Sequence, residues 1–294
     1  MTRMLPMAET EGPDWPDPVV IHTCPALRLE YIGPDLNDPE HRPANVVVAF
    51  APVDFPFDPD SGGWGSRSFR KRGIAHVCVY HSAPDWYQND GFFKAMSRLR
   101  EVLDDDIALT TYGFSMGGYG AILAADPLNA RRAVAVSPQF SVDPAVVPFE
   151  RRYKAEWAAM GPWRHDLSAY RKDAGREVIV LLDPLHRQDR RQEALFPKPS
   201  GHTRCLIHGA GHAGIQTLVE MGIVEVLFDM LRGDASAKDL RNAYRQHRQT
   251  GFRYLRKVGT RLHEHAHPMA PQFMDWAKAR GFRRLIKKWR PYYE

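Results

Sequence analysis

Short apolar runs alternate with polar, helix-patterned segments through most of the chain. The runs are continuous and rich in Val and Ile, as expected of strands that are buried on both faces of a sheet. A sheet of that kind needs helices on both sides to cover it. The predicted strands cover residues 44–51, 74–81, 107–114, 132–138, 177–183 and 203–209.

Helical periodicity fills the gaps between these strands. Strands and helices that alternate along a chain are typical of parallel sheets. Two earlier apolar segments within residues 19–33 predict an antiparallel edge pair. The pattern therefore predicts an α/β fold with a mainly parallel sheet of about eight strands and helices on both faces. The predicted helices cover residues 91–103, 117–126, 190–196 and 215–231.

Residues 139–176 form an unusually long connection between two predicted strands. The connection has 38 residues, whereas most connections within compact domains are much shorter and long ones often form lids. We expect this insertion either to cap a functional site or to cover the sheet edge as a helical excursion. Its aromatic residues include Tyr153, Trp157, Trp163 and Tyr170.

Residues 234–294 differ from the rest of the chain in charge. They contain 15 Lys and Arg and 5 Asp and Glu, so their net charge is +10 in a chain whose total is +5. We therefore divide the chain into a domain of residues 1–233 and a basic helical extension of residues 234–294. The extension is predicted either to pack on the mildly acidic domain or to contact an anionic surface. Its apolar helical face consists of Leu240, Tyr244, Leu255, Val258 and Leu262.

The sequence GFSMG, residues 113–117, places Ser115 at the junction of a predicted strand and a predicted helix. The chain must turn sharply there, and glycines two residues to each side allow neighbouring backbone segments to approach. Such a turn holds the serine in a strained conformation at the carboxyl end of the strand. It also directs unpaired N–H groups at the start of the helix towards an anion beside the serine.

This strand–turn–helix motif resembles the nucleophile elbow of the α/β-hydrolase superfamily. The resemblance covers roughly residues 44–232 and implies that Ser115 is a nucleophile. In that fold the partners of the serine follow in the chain order serine, acid, histidine. The resemblance therefore implies an acid after the strand at 177–183 and a histidine after the strand at 203–209.

Three histidines lie near the last predicted strand. His212 lies in a loop of small residues before a predicted helix and is free to reach Ser115. His208 ends the strand, where packing is expected to hold it, and His202 precedes the strand. A serine nucleophile needs a base, and we predict that His212 serves as that base.

Two aspartates follow the preceding strand. Asp183 ends the strand directly, whereas Asp189 precedes Arg190 and Gln192. A side-chain acceptor three residues before Gln is the spacing of a helix N-cap with its capping box. Asp183 is therefore preferred as the acid that orients His212, and Asp189 is the alternative.

An oxyanion hole needs two N–H donors. The residue after the nucleophile, Met116, is expected to supply one of them. The loop after the strand at 44–51 is expected to supply the other, and Val53 is the candidate because Pro52 has no N–H. Relatives often carry His-Gly in that loop, and the sequence APVDF departs from this pattern.

Trp86 and Tyr87 follow the strand at 74–81 and are expected either to line the substrate pocket or to pack in the core. They belong to the sequence DWYQND, residues 85–90. Together with SMGGYGAILAA and AVSPQFS, this sequence resembles a bacterial branch of the superfamily that modifies cell-surface polysaccharides and exported glycoproteins. That resemblance implies a small-molecule or glycan acyl ester as substrate.

These residues predict a serine hydrolase that cleaves a carboxylic ester through an acyl-enzyme, with no cofactor or metal. One alternative keeps the same triad and replaces water with a sugar hydroxyl, which makes an acyltransferase. A second alternative is a non-catalytic binding or scaffold protein that uses the hydrolase fold and the basic extension.

The remaining features favour a cytoplasmic protein. No apolar run approaches the length of a membrane span, and the first residues lack the apolar centre of a signal peptide. The HEHAH segment, residues 263–267, lacks the spacing of a metal site because alternate positions point to different helix faces. Three cysteines without metal-binding spacing are expected to be free thiols in a reducing compartment; they are Cys24, Cys78 and Cys205.

Overall fold

A computed structural model describes residues 12–55, 62–167, 175–198 and 200–292. Within these ranges eight strands form one sheet. They are β1 (Val19–Thr23), β2 (Leu27–Ile32), β3 (Asn45–Phe50), β4 (His76–His81), β5 (Ala108–Phe114), β6 (Arg132–Val136), β7 (Glu177–Leu182) and β8 (His202–Leu206).

The sheet is mainly parallel, and its strand order is β1-β2-β4-β3-β5-β6-β7-β8. Strands β3 to β8 pair in parallel with one another. β1 and β2 form the predicted antiparallel edge pair, and β2 pairs antiparallel with β4. Every residue of β4 and of β6 is buried, as continuous apolar strands covered on both faces require. The predicted fold class is confirmed.

Eleven α-helices accompany the strands within the described ranges. They are α1 (Ser66–Arg70), α2 (Phe92–Val102), α3 (Met116–Ala125), α4 (Lys154–Ala159), α5 (Arg187–Glu193), α6 (Gly214–Glu220), α7 (Val224–Arg232), α8 (Ala237–His247), α9 (Phe252–Glu264), α10 (Ala270–Ala279) and α11 (Arg283–Trp289). None of the described helices combines the length and the apolar character needed to cross a membrane.

Two helices differ from their predicted bounds. The segment at 215–231 is divided into α6 and α7 because Gly222, between them, has φ of 70° in the left-handed region. The helix predicted to begin at residue 190 begins instead at Arg187. This earlier start changes the position of Asp189, which then lies inside the helix.

Each face of the sheet carries its own hydrophobic core. Val48 and Phe50 face one core, which α2 and α3 cover. Val47 and Ala49 face the other core, which α1, α6, α7 and α8 cover. Successive side chains of β3 therefore enter opposite cores, as the period of a strand requires. The two cores therefore cover β3 on both of its faces.

The first helix of the basic extension, α8, packs against one face of the sheet and contributes to its hydrophobic core. Leu240 of α8 is fully buried and Tyr244 almost so, in a cluster with Cys205 of β8 and Leu227 of α7. The Tyr244 hydroxyl also donates a hydrogen bond to the carbonyl of His208, at 2.9 Å. The chain from β8 to α8 is thus one packed unit.

Helices α9, α10 and α11 surround a smaller cluster of their own. The cluster includes Leu255, Met274, Leu285 and Trp289, all buried. Gly259 allows this packing, since a Cβ at that position would lie 2.1 Å from the Trp289 ring. Val258 and Leu262, which belong to the apolar face predicted from the sequence, are partly exposed.

We predict that Leu240→Ala lowers the free energy of unfolding by about 2–5 kcal/mol, because it leaves a cavity beneath α8. Val219→Ala is the matched control, since Val219 is 57% exposed and its loss should change stability by about 0.5 kcal/mol or less. Denaturant unfolding of both variants measures the difference. Equal stability of the two variants would show that α8 does not pack on the sheet.

Candidate active site

Ser115 occupies a strained turn between β5 and α3. Its φ is 58° and its ψ is −120°, which is an unfavourable conformation for a residue with a side chain. Its N–H donates to the Val136 carbonyl at 2.9 Å, which ties the turn to the neighbouring strand β6. The turn therefore holds the Ser115 side chain at the carboxyl edge of the sheet.

The glycines on either side permit a close approach of backbone segments. A Cβ on Gly113 would lie 2.0 Å from the carbonyl oxygen of Gly117, and a Cβ on Gly117 would lie 2.1 Å from that of Phe50. No side chain fits at either distance. The glycine spacing of the motif is thus required by the contact between β3, β5 and the start of α3.

His212 lies beside Ser115 in the loop between β8 and α6. Its Nε2 is 3.1 Å from the Ser115 Oγ, and its ring packs at 5.0 Å from the Phe114 ring. The neighbouring Gly211 has φ of 65°, which turns the loop towards the sheet edge. The loop after β8 is where the sequence predicts the histidine.

Asp189, not Asp183, contacts the histidine. The Asp189 Oδ2 lies 2.8 Å from the His212 Nδ1. The Asp183 carboxylate instead accepts the N–H groups of Leu185, at 2.9 Å, and of Gly211, at 2.8 Å. The preference for Asp183 as the partner of His212 is therefore corrected, and Asp183 holds the loop that carries His212.

The correction follows from the earlier start of α5. His186 is the N-cap residue, and its Nδ1 lies 3.0 Å from the Asp189 carboxylate. Asp189 is consequently the third residue of the helix and not its cap, so its carboxylate points inward and is 1% exposed. Gln192 bonds to the insertion, where its Oε1 accepts the N–H of Phe140 at 2.8 Å. The capping box predicted for Asp189 and Gln192 is absent.

A buried charge network surrounds the Asp189 carboxylate. Arg152 donates to the Asp189 Oδ1 at 3.0 Å and lies 3.3 Å from the His212 Nδ1. The buried Glu150 accepts two hydrogen bonds from Arg152, at 2.8 and 2.7 Å. Burial opposes ionisation of Asp189, but hydrogen bonds from His186 and His212 and the charge of Arg152 outweigh it and hold the pKa of Asp189 well below its usual range.

The ligand atoms of His186, Asp189 and His212 lie close enough together to hold a metal ion. The Arg152 guanidinium already supplies a positive charge to the Asp189 carboxylate. A second cation beside it would be repelled. We therefore assign these three side chains to hydrogen bonding and not to a metal centre.

Gln139 makes a contact with Ser115 that the sequence analysis did not identify. Its Nε2 donates to the Ser115 Oγ at 2.9 Å, and Trp86 donates to its Oε1 at 3.2 Å. Because the Trp86 indole can only donate, the Gln139 oxygen faces Trp86 and the Gln139 nitrogen faces Ser115. The Ser115 hydroxyl proton then has two acceptors at 3.1 Å, the His212 Nε2 and the Gln139 Oε1.

Trp86 and Tyr87 are both fully buried, so neither lines an open pocket. The Tyr87 hydroxyl donates to the Ala51 carbonyl at 2.8 Å. Trp86 packs against the Tyr153 ring at 5.0 Å and fixes Gln139. Of the two roles expected for them, the structure supports packing, and both residues support groups that touch the site.

The loop after β3 is held beside the turn at Ser115. Tyr87 binds the Ala51 carbonyl and His81 contacts the Pro52 carbonyl at 2.9 Å. A tight turn follows, in which the Phe55 N–H donates to the Pro52 carbonyl at 3.1 Å. The N–H of Val53, in the centre of that turn, makes no hydrogen bond to another described residue.

The insertion at 139–176 reaches over Ser115. The Tyr153 hydroxyl lies 3.3 Å from the Ser115 Oγ, and burial raises the pKa of Tyr153, so this group stays protonated. Gln88 fixes the far part of the insertion, since its Oε1 accepts the N–H groups of Arg164 and His165. As a result Ser115 is 2% exposed.

A mainly parallel sheet, a strained serine turn after β5 and the chain order Ser115, Asp189, His212 are now established together. The fold is that of the α/β-hydrolases. No protein-family model matches the sequence. No curated protein matches it either.

Solved structures similar to this chain include enzymes of several kinds. The capsule O-acetyltransferase of Neisseria meningitidis serogroup A is 12% identical, with a TM-score of 0.49 over 72% of this chain and 92% of its own. An S-formylglutathione hydrolase from Agrobacterium tumefaciens is 17% identical, with a TM-score of 0.43 over 73% and 90%. The esterase Est2 of Thermogutta terrifontis is 13% identical, with a TM-score of 0.47 over 79% and 98%.

Sequence reasoning missed the four side chains that surround the pair Ser115 and His212. Gln139 follows β6 closely, and its position after a strand of the sheet could have marked it. Tyr153 was named only as an aromatic residue of the insertion, and Arg152 and His186 carry no comparable signal, since their contacts depend on how the insertion and α5 pack.

We predict that acid destabilises the native chain more than the Asp189→Asn variant. The folded pKa of Asp189 is below its ordinary 3.8, so its contribution is present above that pH and is lost as the pH falls through the folded value. The loss is about 1.4 kcal/mol for each unit by which the pKa is lowered. Urea unfolding at pH 5, 4 and 3 measures the slope of stability against pH.

Arg152→Met is the second variant in this experiment. It removes one of the charges that lower the Asp189 pKa, so its slope should lie between those of the native chain and Asp189→Asn. Identical slopes for all three proteins would contradict the charge network described here.

Proposed function

We propose that this protein is a serine hydrolase that cleaves a carboxylic ester. One observation carries the proposal: Ser115, His212 and Asp189 form a continuous chain of hydrogen-bonding contacts of 3.1 and 2.8 Å at a strained turn. Such an arrangement activates a hydroxyl that is otherwise a poor nucleophile. A binding or scaffold protein does not require it.

The reaction begins with proton transfer. The His212 Nδ1–H donates a hydrogen bond to Asp189. The Nε2 of the same ring then carries no proton and accepts the proton of the Ser115 hydroxyl. The Ser115 Oγ then attacks the ester carbonyl and forms a tetrahedral intermediate. His212 returns the proton to the departing alcohol, and the acyl group remains on Ser115. Water, activated by His212, hydrolyses the acyl-enzyme and regenerates the serine.

The negative charge on the tetrahedral intermediate needs donors beside Ser115. We assign this role to the N–H of Met116, the first residue of α3, and to the N–H of Val53. The first N–H groups of a helix have no partner within the helix, and the Val53 N–H is free of hydrogen bonds to described residues. Tyr87 and His81 position the loop that carries Val53.

Acyl transfer to a sugar hydroxyl is the second candidate function. The observation that favours it is the near-complete burial of Ser115 beneath Tyr153 and Gln139. A site that excludes water lengthens the life of an acyl-enzyme and allows another hydroxyl to accept the acyl group. The ratio of free acid to acylated sugar, measured with glucose present, distinguishes the two candidates.

We predict that a fluorophosphonate probe labels the native chain and not the Ser115→Ala variant. The variant should also lose turnover of p-nitrophenyl acetate, by up to about 10⁶-fold on the scale known for a serine protease. The fold should survive, which circular dichroism and thermal unfolding check. Equal labelling of both proteins would exclude Ser115 as the nucleophile.

We predict that the two aspartates differ in kinetics. Asp189→Asn should lower kcat for p-nitrophenyl acetate by orders of magnitude, on the order of 10⁴ where such a change has been made in another serine enzyme. Asp183→Asn leaves the contact between Asp189 and His212 in place and weakens one or two hydrogen bonds, so it should mainly reduce stability, by about 1–3 kcal/mol. The opposite ranking of kcat would return the role of acid to Asp183.

A further inference from the structure

Two adjoining pockets lie on the surface of the insertion and α5. The first has a volume of about 460 Å³; Tyr153 lines it, Val142 and Pro148 make it partly apolar, and Arg151 and Lys154 make it cationic. Its position places it next to Ser115, because the hydroxyl of Tyr153 lies 3.3 Å from the Ser115 Oγ.

The second pocket continues from the first. It has a volume of about 360 Å³ and is lined by Phe149, Arg187, Arg191 and again Arg151. Because Arg151 lines both pockets, they form one continuous surface. We call it the arginine surface, and its cations are Arg151, Lys154, Arg187 and Arg191.

The cations of the arginine surface have no ion-pair partners among the described residues. None of its four cations forms an ion pair with a described carboxylate, and Arg191 instead lies 3.8 Å above the Phe149 ring. Glu150, which also lines the first pocket, is held by Arg152. Cations gathered without acidic partners repel one another and create a positive potential that attracts anions.

Tyr153 connects this surface to the nucleophile. Tyr153 lines the first pocket, and its hydroxyl contacts Ser115, so this residue is shared by the pocket and the candidate site. A substrate seated in the first pocket reaches Ser115 by displacing the Tyr153 hydroxyl. The parts of the substrate farther from the reacting group then lie along the cations towards Arg187 and Arg191.

We propose that the arginine surface binds a substrate that carries carboxylate or phosphate groups next to its ester or acceptor hydroxyl. Guanidinium groups suit both anions because each presents paired N–H donors. Val142, Pro148 and Phe149 contact the uncharged parts of the same molecule. This inference rests on the proposed function of Ser115 and adds the chemical class of the substrate.

Protection of Ser115 from a fluorophosphonate probe tests the proposal. The full chain is labelled in the presence of hexagalacturonate, which supplies carboxylates, tripolyphosphate, which supplies phosphates, or neutral maltohexaose. At least one of the two anions should slow labelling several-fold, and added salt should weaken the effect. Maltohexaose should not slow it. The anion that protects more strongly identifies the preferred group, and protection by neither overturns the proposal.

A pair of double variants separates local binding from net charge. Arg151→Ala with Arg187→Ala removes two cations from the arginine surface. Lys94→Ala with Arg98→Ala removes two exposed cations from α2, which packs against β1 at the other end of the sheet. Protection is expressed within each variant as the ratio of labelling rates with and without anion. The first variant should lose protection and the second should keep it, whereas equal ratios overturn the proposal.

Direct binding distinguishes failure of this proposal from failure of the proposed function. If the native chain is not labelled at all, the nucleophile assignment fails. Calorimetric titration of tripolyphosphate and hexagalacturonate into the Ser115→Ala chain still measures the arginine surface. Binding that the Arg151 and Arg187 substitutions weaken at least several-fold, and the α2 substitutions do not, supports it. Absence of binding, or equal weakening by both pairs, overturns it.

Discussion

The close approach of three backbone segments at Ser115 constrains the rest of the site. Gly117 lies against the end of β3 and Gly113 against the start of α3, at distances that exclude any side chain. These contacts bring the loop after β3, the end of β5 and the first N–H of α3 to one point. The strain at Ser115 is tolerated because its N–H is bonded to β6 and large cores cover both faces of the sheet.

Much of the fold, and two of the three residues of the candidate triad, could be predicted from the sequence. Continuous apolar runs specify buried parallel strands, and GFSMG specifies the turn at Ser115, because both patterns reflect local physical requirements. The small residues around His212 similarly predicted a loop from which the histidine can reach Ser115. The spacing between Asp189 and Gln192 predicted a helix that starts at Asp189, but the N-cap of α5 is His186. The sequence allows both starts, and only the packed structure decides between them.

The two aspartates after β7 show why sequence position alone does not assign the acid. Both follow the same strand, both are buried, and both act on the loop of His212. Asp183 bonds to the backbone of Gly211 and so sets the path of the loop, whereas Asp189 bonds to the imidazole itself. The two aspartates are six residues apart, and only Asp189 contacts the imidazole, because α5 directs its carboxylate towards the His212 ring.

The insertion both covers Ser115 and supplies side chains to the candidate site. It supplies Arg152 to the Asp189 carboxylate and Tyr153 to the Ser115 hydroxyl, and it begins at Gln139, which binds the same hydroxyl. With the Tyr153 and Gln139 contacts in place, Ser115 is only 2% exposed. Trp86 contacts both side chains, since it donates to the Gln139 Oε1 and packs against the Tyr153 ring, and Tyr153 also lines an outer pocket. Under the proposed function, the closure of the insertion over Ser115 affects both the access of substrate and the exclusion of water, and so the choice between hydrolysis and transfer.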